Sequence, residues 1–149
     1  MPGYKEHIVG AIFFWGLCLL GMTVFEMFKP SLFSASVLLV LTVLGALFPD
    51  VDTNSKGQHI IYGIILIADI FLIVSGQFIL ASMLGFLALF PAIGSHRGWT
   101  HTWWAMFIVP LPIIILPKFY YNINLIKVLP YYTAWVFGYL SHLILDKKM

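Results

Sequence analysis

Charge is scarce in this chain. Eight lysines and arginines and six aspartates and glutamates are spread over 149 residues, 9% charged against 61% hydrophobic. A soluble domain carries about 25% charge, and a soluble chain this apolar would expose patches large enough to aggregate. The shortage excludes an ordinary soluble globule and points to a protein whose solvent is lipid. Cysteine is nearly absent as well. The single Cys18 lies in the first apolar run, cannot form an internal disulfide, and carries no information on redox compartment. Basic runs are missing beyond Lys147-Lys148, and the net charge is only +2, so nucleic acid is not an expected partner. No G-x-S-x-G occurs, which removes the nucleophile elbow of the serine hydrolases. Repeats and low-complexity tracts are lacking too, and residues 1–149 read as one domain.

What the chain has in quantity is long hydrophobic runs. A membrane helix needs about 20 mostly apolar residues. Six stretches qualify: residues 6–28, 32–48, 59–74, 78–93, 101–120 and 131–146. The first is longer than the apolar region of a signal peptide and more runs follow it, so it is read as a retained span. It stops at Lys29-Pro30, and the second stops at Pro49-Asp50, because proline cannot continue a helix. The third and fourth come from splitting one apolar stretch at Ser75-Gly76-Gln77. The fifth carries Pro110, Pro112 and Pro117, which predict kinks. The last follows Pro130. The expected fold is all-α: a polytopic membrane helical bundle of about six transmembrane helices in three hairpins.

Hairpin topology brings scattered residues together. The start of the chain, the 49–58 loop, the 95–101 loop and the end of the chain all fall on one membrane face. Those strips hold His7, Asp50, Asp52, His59, His96, Arg97, His101, His142 and Asp146, whereas the other face holds Glu26, Lys29, Lys118 and Lys127. Lysine and arginine divide five (Lys5, Lys56, Arg97, Lys147, Lys148) against three (Lys29, Lys118, Lys127). The positive-inside rule then puts the histidine-rich face in the cytoplasm.

Each strip is weak alone. Asp50 and Asp52 flank one valine after a helix-ending proline, a turn that can aim two carboxylates at one cation, though paired acids at a helix end are usually just solvated. His96 and His101 are five apart, more than one helical turn, and reach a common point only if the chain bends near Gly98. Thr100 is placed to cap the fifth helix. Ordinary interfacial histidines are the plain alternative, and Trp99, Trp103 and Trp104 read as an aromatic belt. His142 and Asp146 stand at i and i+4 on one helix face, which also carries Gly138 and so lets a neighbour approach. That pair can share a metal, or the acid can orient the imidazole. His7 gains weight only from its neighbours. Asp69 lies near the middle of the third run, where an acid is costly in lipid; it and His59 have no assigned role.

Together, four histidines and three aspartates exceed what one ion needs, since zinc takes four ligands. The set His7, Asp50, Asp52, His96, His101, His142 and Asp146 suits two divalent ions, zinc first and manganese or iron next. Two ions about 3.5–4 Å apart can clamp the attacking and leaving oxygens of a phosphoester. Arg97 would serve as a fork for a phosphate oxygen.

The pieces "HIVG", "LFPDVDTNSKG", "SHRGWTHT" and "GYLSHLILD", in that order and spacing, resemble the YdjM-like inner-membrane proteins, described as metal-dependent hydrolases. "HRGWTH" joined with "PDVD" is the specific part. The resemblance spans nearly the whole chain and implies an inner-membrane hydrolase whose metal ligands are the seven residues above. It also places Ser55, Arg97, Gly98 and Thr100 in the motif environment. The expected roles are substrate binding for Ser55, Arg97 and Thr100, and catalysis for Arg97 and Asp52. Family members commonly continue past the H-x-x-x-D helix with a "TP-x-G" segment, where this chain reads "DKKM". The expected function is hydrolysis of a phosphoester or lipid-type substrate at the membrane interface by a metal-activated water. The alternative is a non-enzymatic metal protein, either a transporter or a metal-stabilised module. A third reading is a small pore or interaction protein.

Overall fold

The computed structural model describes residues 3–26, 28–93 and 98–146. Every regular element among them is helical. The α-helices are α1 (Tyr4–Val24), α2 (Leu32–Leu47), α3 (Lys56–Val74), α4 (Phe78–Ile93), α5 (Ala105–Ile108), α6 (Leu111–Tyr121) and α7 (Leu125–Leu145), with 3-10 turns at Phe48–Asp52 and Trp99–His101. Among the described residues, three segments are long and apolar enough to cross a membrane: Tyr4–Val24, Leu32–Asp52 and Lys56–Val74. The chain is an all-α membrane bundle.

Its centre is α7 packed between α1 and α2. Lipid tails are as apolar as leucine, so helices in a bilayer associate through close fit rather than through apolar burial. The fit comes from small residues. A Cβ built at Gly138 of α7 would collide with the Thr42 carbonyl of α2, and one at Gly45 of α2 would collide with the Trp135 carbonyl of α7. Ala46, Ala134 and Ser141 along the same seam have no exposed surface. One end of the seam is filled by Cys18, Met22, Leu38 and Ala134, and the other by Ala105, Met106, Tyr139 and Leu143.

α3 and α4 form a hairpin beside this core. The turn between them falls at Ser75–Gln77 as the sequence predicts, with Gly76 at φ +74°, where glycine carries no steric penalty. The Tyr62 hydroxyl donates to the Ala88 carbonyl at 3.0 Å and ties the two helices together.

Three boundaries differ most from the expected ones. α1 ends at Val24, short of residue 28, because the chain turns at Phe25 and Glu26 (φ 53°) before Pro30 is reached. The fifth run is not one kinked helix from His101. It breaks into the 3-10 turn at Trp99–His101, the single turn of α5, and α6, whose N-cap is Pro110. Prolines at 110 and 112 lack the N–H groups a continuous helix would use. The last helix starts at Leu125 rather than near Tyr131 and carries Pro130 inside it. Asn122 ends α6 in a left-handed conformation, φ 48°. The Asn124 side chain then caps α7 by accepting from the Ile126 N–H at 3.0 Å.

Candidate metal centre

Four parts of the chain meet where α1 and α7 begin and end. The α1 N-terminus is fixed by the Gly3 N–H donating to the Glu6 carboxylate at 2.6 Å, which leaves the next residue, His7, pointing into the bundle and buried. Beyond α2, Pro49 stands in the first turn of the 3-10 segment. The Asp50 carbonyl then accepts from the Thr53 hydroxyl (2.9 Å) and the Ser55 hydroxyl (3.1 Å), so the acidic turn is wrapped by its own loop. Ser55 also caps α3, accepting from the Gln58 N–H at 3.1 Å. His101 closes the second 3-10 turn; His142 comes from the last turn of α7 and Asp146 is its C-cap residue.

The side chains converge closely. His101 Nε2 and His142 Nε2 lie 3.6 and 3.7 Å from Asp50 Oδ1. The same two nitrogens lie 3.9 and 3.7 Å from Asp146 Oδ2. Asp146 Oδ1 faces the other way, 3.6 Å from His7 Nε2. The rings of His7 and His142 are stacked, with centroids 3.9 Å apart. Two triads, His7–Asp50–His142 and His101–His142–Asp146, each place their donor atoms within 4.8 Å of one another.

These separations are too long for hydrogen bonds. Two donors held 2.0–2.2 Å from one ion at a tetrahedral angle lie about 3.3–3.6 Å apart, close to what is seen. The nitrogen atoms support the same reading. His101 Nε2 and His142 Nε2 are buried with no hydrogen-bond partner, a costly state unless something else binds them. His142 Nδ1 is 2.7 Å from the Ala46 carbonyl. A carbonyl only accepts, so Nδ1 carries the hydrogen and Nε2 presents a lone pair to the cluster. Backbone carbonyls hold metal-binding histidines in this way. The donor set fits a divalent cation.

The cluster is closed on most sides. Side-chain exposure is 5% or less for His7, His101, His142 and Asp146, but 24% for Asp50. The open side is therefore at Asp50.

Of the seven expected ligands, five come together: His7, Asp50, His101, His142 and Asp146. Asp52 joins neither triad; its Oδ2 accepts from the Thr100 hydroxyl at 2.8 Å. Thr100 is buried inside the 3-10 turn and does not cap a following helix, because its hydroxyl is committed to Asp52. His96 and Arg97 lie outside the described residues. His59 is exposed, with Nδ1 at 2.7 Å from its own-helix Ser55 carbonyl, and Asp69 lies on α3. Two contributors carry no signal of their own in the sequence. The Ala46 carbonyl is one. The other is Tyr139, whose hydroxyl donates to the Thr100 carbonyl; its place one helical turn before His142 is the only hint.

Fold and cluster together define a polytopic helical membrane protein with a buried histidine–aspartate centre at one end of its central helices. The profile of the YdjM inner membrane protein family matches residues 1–147, and the chain belongs to that family. No curated protein and no solved structure matches it.

Proposed function

We propose that this inner-membrane protein is a metal-dependent hydrolase acting on a phosphoester, with lipid phosphoesters favoured. The observation that carries the proposal is the pair of buried, unpartnered imidazole Nε2 atoms facing Asp50 and Asp146. His101, His142, Asp50 Oδ1 and Asp146 Oδ2 would hold one divalent ion. His7 Nε2 and Asp146 Oδ1, 3.6 Å apart, would help to hold a second ion. When bound, such ions polarise a phosphoryl oxygen and lower the pKa of water enough for attack at neutral pH. The protein's own residues do the rest. Asp50 borders the open side where a substrate would approach, and the buried histidines keep bulk water from the far side. Zinc is the first choice of ion, with manganese or iron as alternatives.

The centre lies at helix ends, where α1 begins and α2 and α7 finish. Ends of spanning helices fall near the membrane–water interface, and a centre at that level would meet lipids as its abundant phosphoesters. That level also argues against a transporter, whose ligands belong near the midplane on broken helices. The five-to-three lysine and arginine bias favours a cytoplasmic centre. One observation favours a second reading, a metal-stabilised module without catalysis: four of the five donors are almost fully enclosed.

The test uses the full chain purified in detergent. Metal analysis should find about two divalent ions per chain, and phosphoester hydrolysis should vanish with a chelator and return with the ion. Asp50→Asn and His142→Ala should lose metal and activity together. Two tightly held ions with no hydrolysis across soluble and lipid phosphoesters would favour the module. A chain that binds no ion would refute both readings.

A further inference from the structure

Asp52 follows Asp50 by two residues on the same 3-10 turn, yet it stands apart from the triads. Its Oδ2 accepts from Thr100 Oγ1 at 2.8 Å, and Thr100 Oγ1 lies 3.3 Å from His101 Nδ1. A threonine hydroxyl has one hydrogen, and an ionised carboxylate can only accept. The hydroxyl hydrogen is therefore spent on Asp52, and the oxygen turns a lone pair to the ring. His101 Nδ1 must then carry a hydrogen, which leaves Nε2 with the free lone pair. Nε2 is the atom that faces Asp50 Oδ1 at 3.6 Å, buried and unpartnered. Thr100 itself has no exposed surface, and its carbonyl is held from the α7 side by the Tyr139 hydroxyl.

We infer that Asp52, acting through Thr100, is a positioning residue that fixes the tautomer and ring angle of His101 toward a divalent cation. This rests on the reading of the centre as a cation site, but not on hydrolysis. It is the carboxylate–histidine–metal arrangement with one hydroxyl inserted. His142 has the simpler version, a backbone carbonyl on Nδ1. The two imidazoles that face both carboxylates are thus oriented by different devices, and only the His101 device can be removed by mutating a side chain.

The experiment titrates zinc into the full chain in detergent, for the wild type and for Thr100→Val, Thr100→Ser, Asp52→Asn and the Thr100→Val/Asp52→Asn double variant. Thr100→Val and Asp52→Asn should each weaken binding by about 10–100-fold without changing the number of ions bound. Thr100→Ser, which keeps the hydroxyl, should stay near wild type. The double variant should be no weaker than the worse single one, because both break one chain of contacts. Loss of an ion in Asp52→Asn with unchanged affinity in Thr100→Val would make Asp52 a ligand and overturn the inference; additive losses, or no loss at all, would overturn it too. A metal-free readout separates this from the cation reading. The ¹⁵N spectrum of His101 should show Nδ1–H in the wild type and a tautomer mixture in both Thr100→Val and Asp52→Asn. A wild-type chain that binds no zinc would defeat the cation reading, while unchanged ring-nitrogen shifts in these variants would defeat the Asp52–Thr100 link itself.

Discussion

The bundle has two halves built from similar apolar sequence and put to different use. The α1–α2–α7 core is sewn together by small residues, whereas the α3–α4 hairpin lies against its flank. Inside the structure, 39% of the α2 span and 22% of the α1 span are buried, against 11% of the α3 span. All five converging donors come from the core and its adjoining turns, and none from the hairpin. Hydrophobicity separates the halves poorly, since the α1 and α3 spans have mean hydropathies of 1.9 and 2.0. The difference lies in glycine, alanine, serine and threonine placed where backbones touch. In lipid, apolar surface says that a helix spans, and small residues say what it touches.

Glycines offer the strongest way to break this contrast. A methyl group at Gly138 would enter the Thr42 carbonyl, with backbone on both sides and nothing able to yield. Gly138→Ala should cost more than about 4 kcal/mol, or leave no folded bundle in detergent. The same change at Gly63 in α3 meets nothing within 4 Å. There it should be neutral, or stabilising by up to about 1 kcal/mol through the reduced freedom of the unfolded chain. Thermal melts of the two variants decide the matter. Equal effects would mean that the core and the hairpin are not packed differently.

Metal removal comes next in size. The centre joins α1, the Phe48–Asp52 turn, α7 and the Trp99–His101 turn, so a bound ion would stabilise the core by mass action. At ion concentrations 100–1,000 times Kd this amounts to about 2.7–4.1 kcal/mol. A chelator should therefore lower the melting temperature of the wild type but not of His142→Ala. Amide exchange should quicken over the last turns of α7 and stay unchanged in α4. Quickening confined to the hairpin would place the ion somewhere else.

Much of this arrangement could be read from residue order. Six apolar runs and the rule that hairpins alternate faces were enough to bring His7, Asp50, His101, His142 and Asp146 to one end. The i, i+4 spacing of His142 and Asp146 was enough to put them side by side. Asp52 was not legible. In sequence it looks equivalent to Asp50, and only the curvature of the 3-10 turn sends one carboxylate toward the histidines and the other toward Thr100. The break of the fifth run was half legible. Pro110 and Pro112 announce a disturbance, but whether a proline kinks a helix or ends it depends on what the freed carbonyls find nearby. Pro130 shows the opposite error, since α7 runs through it. The ring orientations were beyond reach from sequence, because they depend on a carbonyl and a hydroxyl that any residue order could supply.

The smallest expected effect is at Asp69, on the hairpin. An acid within a membrane helix is functional by default, and Asp69 Oδ1 is buried without a partner. Yet Asp69 sits on α3, the span least enclosed by the rest of the bundle, and it belongs to neither donor triad. Asn keeps the shape, removes the charge and exchanges one acceptor oxygen for an NH2 donor. If the hairpin is energetically separate from the centre, Asp69→Asn should shift stability by less than about 1 kcal/mol and leave the ion content and zinc affinity at wild-type values. Loss of an ion in that variant would mean that α3 reaches the centre after all, and the division between a working core and a flanking hairpin would have to be abandoned.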